Sequence, residues 1–223
     1  MDKEIQQNLK NVLQDIPSGI RLVAVSKTKP VELIQQTYDI GQRDFGENKA
    51  QEMAKKYQQL PVDIRWHFIG HLQTNKVKYI APFVSLIHTV DSLKVLLEIN
   101  NQAMKSNRII DCLLEFHIAK EESKFGLTKE TAIEFLSSDE FRGLENIRIC
   151  GVMGMATYTT EDDKIRGEFR SLKEYLGFLK REFFLNNPEF KEISMGMSGD
   201  YLLAIEEGAT IVRVGSKIFG SRE

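Results

Sequence analysis

The sequence has few cysteines, and the two present are poorly placed for metal or redox chemistry. Among the 223 residues, Cys112 and Cys150 lie far apart inside apolar, strand-like runs. They form neither a CxxC motif nor a spacing typical of metal ligands. We therefore expect two reduced cysteines in the protein core.

Strong charge and long hydrophobic segments are also missing. The formal net charge is -2 and no segment is a block of like charge, so nothing indicates a nucleic-acid partner. The polar residues after Met1 do not resemble a signal peptide, and no run is long enough to span a membrane. We expect a cytoplasmic protein with no membrane partner.

The chain begins with an amphipathic pattern and then alternates short β-branched runs with longer helical ones. Apolar residues recur at helical spacing between residues 3 and 16, and Pro17 and Gly19 follow as helix-ending residues. The later alternation is typical of successive βα units. The predicted strands are 21–26, 44–46, 66–69, 86–90, 112–118, 147–153, 192–195 and 210–214, and the predicted helices between them are 30–40, 49–59, 75–81, 93–104, 128–137, 164–185 and 201–207.

Eight such units favour a closed parallel barrel over an open doubly wound sheet. No linker rich in proline, glycine or serine interrupts them, which indicates one folding unit. The GxGxxG motif of a dinucleotide-binding fold does not follow the first strand. We therefore predict an α/β fold with a single domain over residues 1–223, a (β/α)8 TIM-type barrel with an extra N-terminal helix.

Lys27 is the candidate nucleophile. The working residues of such barrels lie at the carboxyl ends of the strands, and Lys27 directly follows the apolar run of the first strand. Desolvation there lowers the pKa of an amine and makes it reactive toward an aldehyde. By position alone, a surface lysine is the commoner interpretation. Lys29 has the same strand parity, but it precedes Pro30, a favoured first helical residue, and is expected to be solvated.

Arg213 lies within the otherwise apolar last strand and therefore needs a partner. A barrel closes its last strand against its first, so Arg213 and Lys27 are expected close together at the barrel mouth. Alternation places Ile211, Arg213 and Gly215 on one face of the strand. If that face points inward, Arg213 faces a ligand.

Small residues after the last two strands indicate an anion site. Ser198 and Gly199 follow the seventh strand, and Gly215 and Ser216 follow the eighth, where barrels often bind phosphate. Ser198 or Asp200 also precedes a helix, whose first N–H groups favour negative charge. Considered alone, Ser198 is equally well explained as a helix N-cap. The two loops together favour phosphate.

The four histidines do not indicate a metal site. His67 and His71 are four residues apart, but Gly70 and the preceding strand interrupt the helical face that this spacing requires. His67 either lines the pocket or is a hydrogen-bonded core residue, and the sequence leaves both open. His88 and His117 carry no further signal.

Five segments carry a resemblance to a known family. They are AVSKTKP (24–30), FGEN (45–48), WHFIGHLQTNKVKYI (66–80), GMS (196–198) and VRVGSKIFG (212–220). The resemblance extends over nearly the whole chain, and the longest segment is its signature. The sequence resembles the pyridoxal phosphate homeostasis protein family, relatives of the barrel domain of alanine racemase.

The resemblance implies pyridoxal 5'-phosphate as the cofactor and no metal. It implies that Lys27 holds the cofactor as a Schiff base and that Arg213 faces the pyridine nitrogen. The phosphate is expected at Ser198, Gly215 and Ser216. No catalytic residue is implied.

The same resemblance places Asn48 beside the cofactor ring. Three positions depart from the family pattern. Lys49 replaces the usual tyrosine, Gly199 replaces an acidic or amide residue, and Ser216 replaces a frequent threonine. Ser216 keeps the hydroxyl group, whereas Lys49 changes one wall of the expected pocket.

Three functions are compatible with these residues. The resemblance implies a non-catalytic or weakly catalytic carrier that buffers pyridoxal phosphate and delivers it to apo-enzymes. We expect this carrier to be a monomer. A lysine-bound cofactor in this fold is also the apparatus of an amino-acid racemase. An aldolase that uses Lys27 without a cofactor is a third.

Two features argue against the racemase. Racemisation needs a second acid or base on the opposite face of the cofactor, and the sequence ends at Glu223, so we expect no second domain to supply it. Arg213 is permanently charged, which disfavours protonation of an adjacent pyridine nitrogen and weakens the ring as an electron sink. We therefore expect a non-catalytic carrier, with the racemase as the alternative.

Overall fold

Eight parallel strands form a closed barrel in the computed structural model, which describes residues 3–119 and 126–220. Neighbouring strands pair in chain order, and β1 pairs with β8 to complete the closure. The predicted fold class is confirmed. The strands are β1 (Arg21–Val25), β2 (Asp44–Glu47), β3 (Arg65–Phe68), β4 (Leu86–Val90), β5 (Ile110–Phe116), β6 (Ile147–Gly154), β7 (Glu192–Ser194) and β8 (Ile211–Val214).

Helices cover the outside of the barrel, and the predicted N-terminal helix is present as α1. It packs against α2 and α9. The α-helices are α1 (Lys3–Gln14), α2 (Val31–Asp39), α3 (Ala50–Tyr57), α4 (Leu93–Lys105), α5 (Lys129–Ser137), α6 (Asp139–Arg142), α7 (Asp162–Glu182), α8 (Tyr201–Glu206) and α9 (Ser216–Phe219). The short α6 and α9 were not predicted.

Two predicted elements differ in form or position. The helix predicted over 75–81 is a 3-10 helix, Thr74–Tyr79, which is common for a short connector. The fifth strand was predicted at 112–118 but lies at Ile110–Phe116. The strand ends before residue 117 because the His117 N–H donates to the carbonyl of Leu127 and not to a neighbouring barrel strand.

Side-chain alternation separates two apolar cores. The larger core lies between the barrel and the surrounding helices. The smaller one consists of six buried side chains that we assign to the barrel interior: Val23, Leu86, Leu113, Cys150, Met153 and Ile211. Arg213 has the parity of Ile211 and so belongs to the inward-facing set, whereas Lys27 lies beyond the end of β1, where strand alternation no longer applies.

The two cysteines are buried and unpaired, as predicted. Burial raises the pKa of both thiols, that of Cys150 to about 12, so both are protonated at neutral pH. Among the described residues, no helix combines the length and apolar character that crossing a membrane requires.

Candidate functional site

Lys27 lies just beyond β1, at the carboxyl end of the barrel, with its side chain half-buried. The peptide groups on both sides of it are held by α3. The Ser26 carbonyl accepts a 2.9 Å hydrogen bond from Lys56 Nζ, and the Thr28 N–H donates to Glu52 Oε1 at 2.7 Å. Thr28 has φ of 65°, a left-handed conformation that is unusual for a β-branched residue. The loop that carries Lys27 is therefore fixed in place by specific bonds.

A buried cluster of ion pairs holds this loop in place, and it was not predicted from the sequence. Lys56 Nζ lies 2.8 Å from Glu47 Oε1 and 2.7 Å from Glu52 Oε1, and Ser26 Oγ donates to Glu47 at 2.6 Å. Glu47 is completely buried. Burial raises its pKa although Lys56 opposes the shift. Burial would also raise the pKa of Glu52, but the hydrogen bonds from Lys56 and from the Thr28 N–H outweigh burial and lower that pKa.

Arg213 points inward from β8, on the same face as Ile211; the sequence had left open which face of this strand points inward. Its neighbour across the barrel closure is Val23 of β1. The side chain is buried, and its guanidinium donates to the Ser194 carbonyl at 2.9 Å, to Ser194 Oγ at 2.6 Å and to the Gly154 carbonyl at 3.1 Å. Burial lowers its pKa to about 10, and the Glu115 carboxylate opposes that shift. Arg213 is therefore still charged at neutral pH.

The loops after β7 and β8 meet through a hydrogen bond. The Gly215 N–H donates to Ser198 Oγ at 3.1 Å, so Ser198 joins the two loops. The N-cap of α8 is Asp200 and not Ser198. Ser216 begins α9, where the first N–H groups have no partner within the helix. The structure thus brings Ser198, Gly215 and Ser216 together, as the phosphate prediction requires.

Asn48 follows β2 and presents an unsatisfied acceptor. Its Oδ1 is buried, and no hydrogen-bond donor reaches it among the described residues. Gly70 packs directly against it, so closely that a Cβ at Gly70 would overlap the Asn48 carbonyl oxygen. Lys49, which replaces the tyrosine of the family pattern, is exposed. Asn48 is therefore held in place, and its amide oxygen has capacity for a ligand donor.

His67 and His88 are buried and form hydrogen bonds inside the barrel. His67 is buried and bonded to His88 and Asp44, so it is a hydrogen-bonded core residue and not a pocket wall. His71 Nδ1 lies 3.3 Å from Asp91 Oδ2. No group of metal-ligating side chains occurs in residues 3–119 or 126–220.

Glu115 on β5 is a site residue that sequence reasoning missed. It is buried, and its parity with Leu113 points it into the barrel. Burial raises its pKa to about 7; Asp91 adds to the shift and Arg213 opposes it. Applying the strand alternation to β5 would have identified it.

We expect Glu115→Gln to change the pH dependence of stability. The pKa of the carboxyl is raised from 4.5 to about 7, so folding takes up a proton between those values. Its stabilising contribution is therefore largest below pH 4.5 and is lost as the pH rises toward 7. Relative to wild type, the variant should gain up to about 3 kcal/mol of unfolding free energy between about pH 5 and pH 8.

Urea unfolding of the ligand-free proteins, followed by circular dichroism, measures this difference. Glu140→Gln, at an exposed position in α6, is the matched control. Its unfolding free energy should equal that of wild type at about pH 5 and at about pH 8. Parallel pH profiles for wild type and Glu115→Gln would contradict the raised pKa.

The chain matches a family model over almost its entire length. That family is described as alanine racemase, N-terminal domain, and the match covers residues 2–223. The pyridoxal phosphate homeostasis protein of Aquifex aeolicus (strain VF5) is 42% identical over 204 residues, covering 91% of this chain and 87% of that protein. The protein of the same name in Schizosaccharomyces pombe is 38% identical over 219 residues, covering 96% and 90%.

Solved structures show the same relationship. PipY of Synechococcus elongatus PCC7942 has a TM-score of 0.88 at 31% identity over 97% of this chain and 100% of its own. PipY with pyridoxal phosphate bound has a TM-score of 0.85 at 30% identity, with the same coverage. Alanine racemase of Clostridium difficile 630, at 14% identity and TM-score 0.78, covers 99% of this chain and 60% of its own, and shares the fold. The chain therefore belongs to the alanine racemase N-terminal domain family, as a relative of the pyridoxal phosphate homeostasis proteins.

Proposed function

We propose that this protein binds pyridoxal 5'-phosphate at the barrel mouth, holds it as a Schiff base on Lys27, and acts as an intracellular carrier that buffers it or delivers it to apo-enzymes. The cofactor supplies an aldehyde, a phosphate and a pyridine ring. The observation that carries the proposal is the arrangement of the barrel mouth: Lys27 follows β1, Arg213 lies on the adjacent β8, and Ser198 joins the loops that follow β7 and β8. The names of the curated relatives and the bound ligand of PipY support it.

The residues at the mouth fit the three parts of this ligand. Lys27 provides the amine, on a loop whose backbone is fixed on both sides. Arg213 has two further N–H donors beyond its three described bonds, which suits the acceptor nitrogen of the ring. The unsatisfied Oδ1 of Asn48 suits a ligand donor, because a buried acceptor without a partner destabilises the protein.

The phosphate is assigned to Ser198, Gly215 and Ser216. The two hydroxyl groups and the backbone N–H groups at the start of α9 are neutral donors suited to an anion. A Cβ at Gly215 would lie 3.1 Å from the Val25 carbonyl oxygen, so the loop after β8 passes close to β1 and thus to Lys27. The phosphate and the aldehyde would therefore bind within one small region.

We expect Ser198→Ala and Ser216→Ala each to weaken binding of pyridoxal phosphate. A hydrogen bond to a charged group contributes about 1.5 to 3 kcal/mol, and backbone donors remain in both variants. The double variant should bind more weakly than either single one. Fluorescence titration gives the dissociation constants, with Ser137→Ala on α5 as an exposed control. Unchanged affinity in both single variants and in the double one would place the phosphate elsewhere.

A carrier should turn over amino acids very slowly. The charged guanidinium of Arg213 disfavours protonation of a neighbouring ring nitrogen and so weakens the ring as an acceptor of electrons. We expect at most slow α-proton exchange and negligible D-isomer when the holo-protein is incubated with L-amino acids in deuterium oxide. NMR follows the exchange, and chiral chromatography follows the inversion.

Lys27→Ala is the control for this reaction, because any exchange that persists in it does not depend on the proposed site. Formation of D-amino acids at enzyme-like rates by the wild-type protein would overturn the carrier function and favour the racemase.

A further inference from the structure

Five buried polar side chains form a continuous hydrogen-bonded network across the barrel interior. Arg213 Nη1 lies 2.6 Å from Ser194 Oγ, and Ser194 Oγ lies 2.8 Å from His88 Nδ1. His88 Nε2 lies 2.9 Å from His67 Nδ1, and His67 Nε2 lies 2.9 Å from Asp44 Oδ1. None of the five residues is more than 6% exposed. We call these five residues the interior network; it links four non-contiguous parts of the sequence to Arg213.

The direction of the bonds in the interior network follows from its Asp44 end. The Asp44 carboxylate only accepts, so His67 carries its proton on Nε2 and donates it to Asp44. A neutral His67 then accepts at Nδ1 from His88 Nε2. A neutral His88 in turn accepts at Nδ1 from the Ser194 hydroxyl, whose oxygen also accepts from the guanidinium of Arg213. The carboxylate therefore specifies the polarity, and the donors of Arg213 are compatible with it.

Asp44 is held in its charged form at the end of the network. Arg65 donates to it through Nε at 2.8 Å and through Nη2 at 2.5 Å. Burial would raise the pKa of Asp44, but the bonds from Arg65 and His67 outweigh it and lower the pKa. The acceptor end is therefore a carboxylate at neutral pH.

Both imidazoles are neutral, as this polarity requires. Burial lowers the pKa of His67, although Asp44 opposes the shift. Burial lowers the pKa of His88 further, and Arg213 adds to that shift. A proton added to His67 Nδ1 would face the Nε2–H of His88, and a proton added to His88 Nδ1 would face the hydroxyl of Ser194.

We infer that Asp44, His67, His88 and Ser194 are positioning residues, which orient the guanidinium of Arg213 from the opposite side of the barrel interior for its contact with the ring nitrogen of pyridoxal phosphate. The inference rests on the proposed function. Both protons of Arg213 Nη1 are used by Ser194, one on the carbonyl and one on Oγ. Only Nη2 and Nε then have protons left for a ligand, so the network determines which edge of the guanidinium meets it.

The network itself can be tested in the ligand-free protein by nitrogen NMR. A scalar coupling across the hydrogen bond should connect His88 Nε2 with His67 Nδ1, and both rings should be protonated on Nε2. His71→Gln and His117→Gln variants assign the other two imidazoles. Absence of the coupling would overturn the network.

The effect of the interior network on ligand binding can be tested by replacing Asp44, the acceptor at the end farthest from Arg213. The amide introduced by Asp44→Asn can present its NH2 group to His67, which permits the reversed polarity. We expect about tenfold weaker binding of pyridoxal phosphate, together with a shifted absorbance spectrum of the bound ligand, because the charge facing the ring nitrogen has moved. Asp63→Asn is the matched control, since Asp63 also pairs with an arginine, Arg43, at 2.9 Å but lies at the surface.

Ser194 supplies a second test close to Arg213, which serves if Asp44→Asn does not fold. Ser194→Ala should weaken binding and shift the spectrum, and Ser194→Thr, which keeps the hydroxyl group, should restore both. A merely structural role for Ser194 predicts no such rescue of the spectrum.

The two proposals fail in different ways. Wild-type protein that shows the coupling but binds no pyridoxal phosphate overturns the proposed function. Wild-type protein that binds it with an affinity and spectrum unaffected by Asp44→Asn and Ser194→Ala overturns the positioning role alone.

Discussion

Replacing Lys27 by alanine should abolish covalent attachment of pyridoxal phosphate. The wild-type protein is expected to show the absorbance of a Schiff base and, after borohydride reduction, to gain one pyridoxyl group on Lys27. The variant has no amine at the end of β1 and should show neither. Its fold should persist, because Lys27 is half-buried at the mouth and the bonds that fix its loop use the backbone of Ser26 and Thr28.

Lys29→Ala is the matched control, because Lys29 lies two residues away on the same loop. It should retain the Schiff base and the modified Lys27 peptide. Mass spectrometry of the reduced, digested proteins identifies the site, and circular dichroism checks the fold. A normal Schiff-base spectrum in Lys27→Ala would disprove the assignment of Lys27. A modified Lys29 peptide would show that the cofactor is attached to Lys29 instead.

Replacing Lys56 by methionine should cause the largest loss of stability that we predict. Lys56 is 5% exposed and is the cation that contacts the fully buried Glu47. Removing one partner of a buried ion pair leaves the other charge uncompensated and costs about 3 to 5 kcal/mol. Glu47 would respond by taking up a proton, so its pKa should rise further. The deficit should therefore be largest at alkaline pH and shrink as the pH falls toward the ordinary range of a carboxyl group.

Lys55→Met is the control, since Lys55 is the neighbouring lysine of α3 but is exposed. It should lower the unfolding free energy by no more than about 0.5 kcal/mol. Urea unfolding of wild type, Lys56→Met and Lys55→Met at two pH values measures the loss of unfolding free energy and its pH dependence. Equal stability of the two variants would show that the cluster under Lys27 does not stabilise the fold.

The barrel was predictable because several of its strands, such as β1, β4 and β8, are short apolar runs with β-branched residues, and amphipathic helices separate the strands. Lys27 and Arg213 stood out for the same reason, as charged residues next to or within such runs. Alternation placed Arg213 on the same strand face as Ile211, and the structure shows that this face points inward. What failed were boundaries that depend on tertiary contacts, as where His117 leaves the sheet to bond Leu127.

The residues that support the site could not be predicted in the same way. Glu52 and Lys56 have the i, i+4 spacing of an ordinary surface ion pair, and only packing against Glu47 buries the lysine. His88 and Ser194 are 106 residues apart and lie on strands that are not neighbours. Alternation can place each of them inside a barrel, but it cannot say which interior side chains meet.

Closure of the sheet also affects how concentrated this protein can become. A carrier acts in proportion to the amount of ligand it holds, so it works as a stoichiometric reagent and must be abundant. Abundant β-proteins with open sheets expose unpaired strand edges, which promote aggregation. Here each of the eight described strands has a hydrogen-bonded neighbour on both sides. Within the described residues the barrel therefore offers no strand edge for pairing with another copy, a property that suits the high concentration that the proposed carrier function requires.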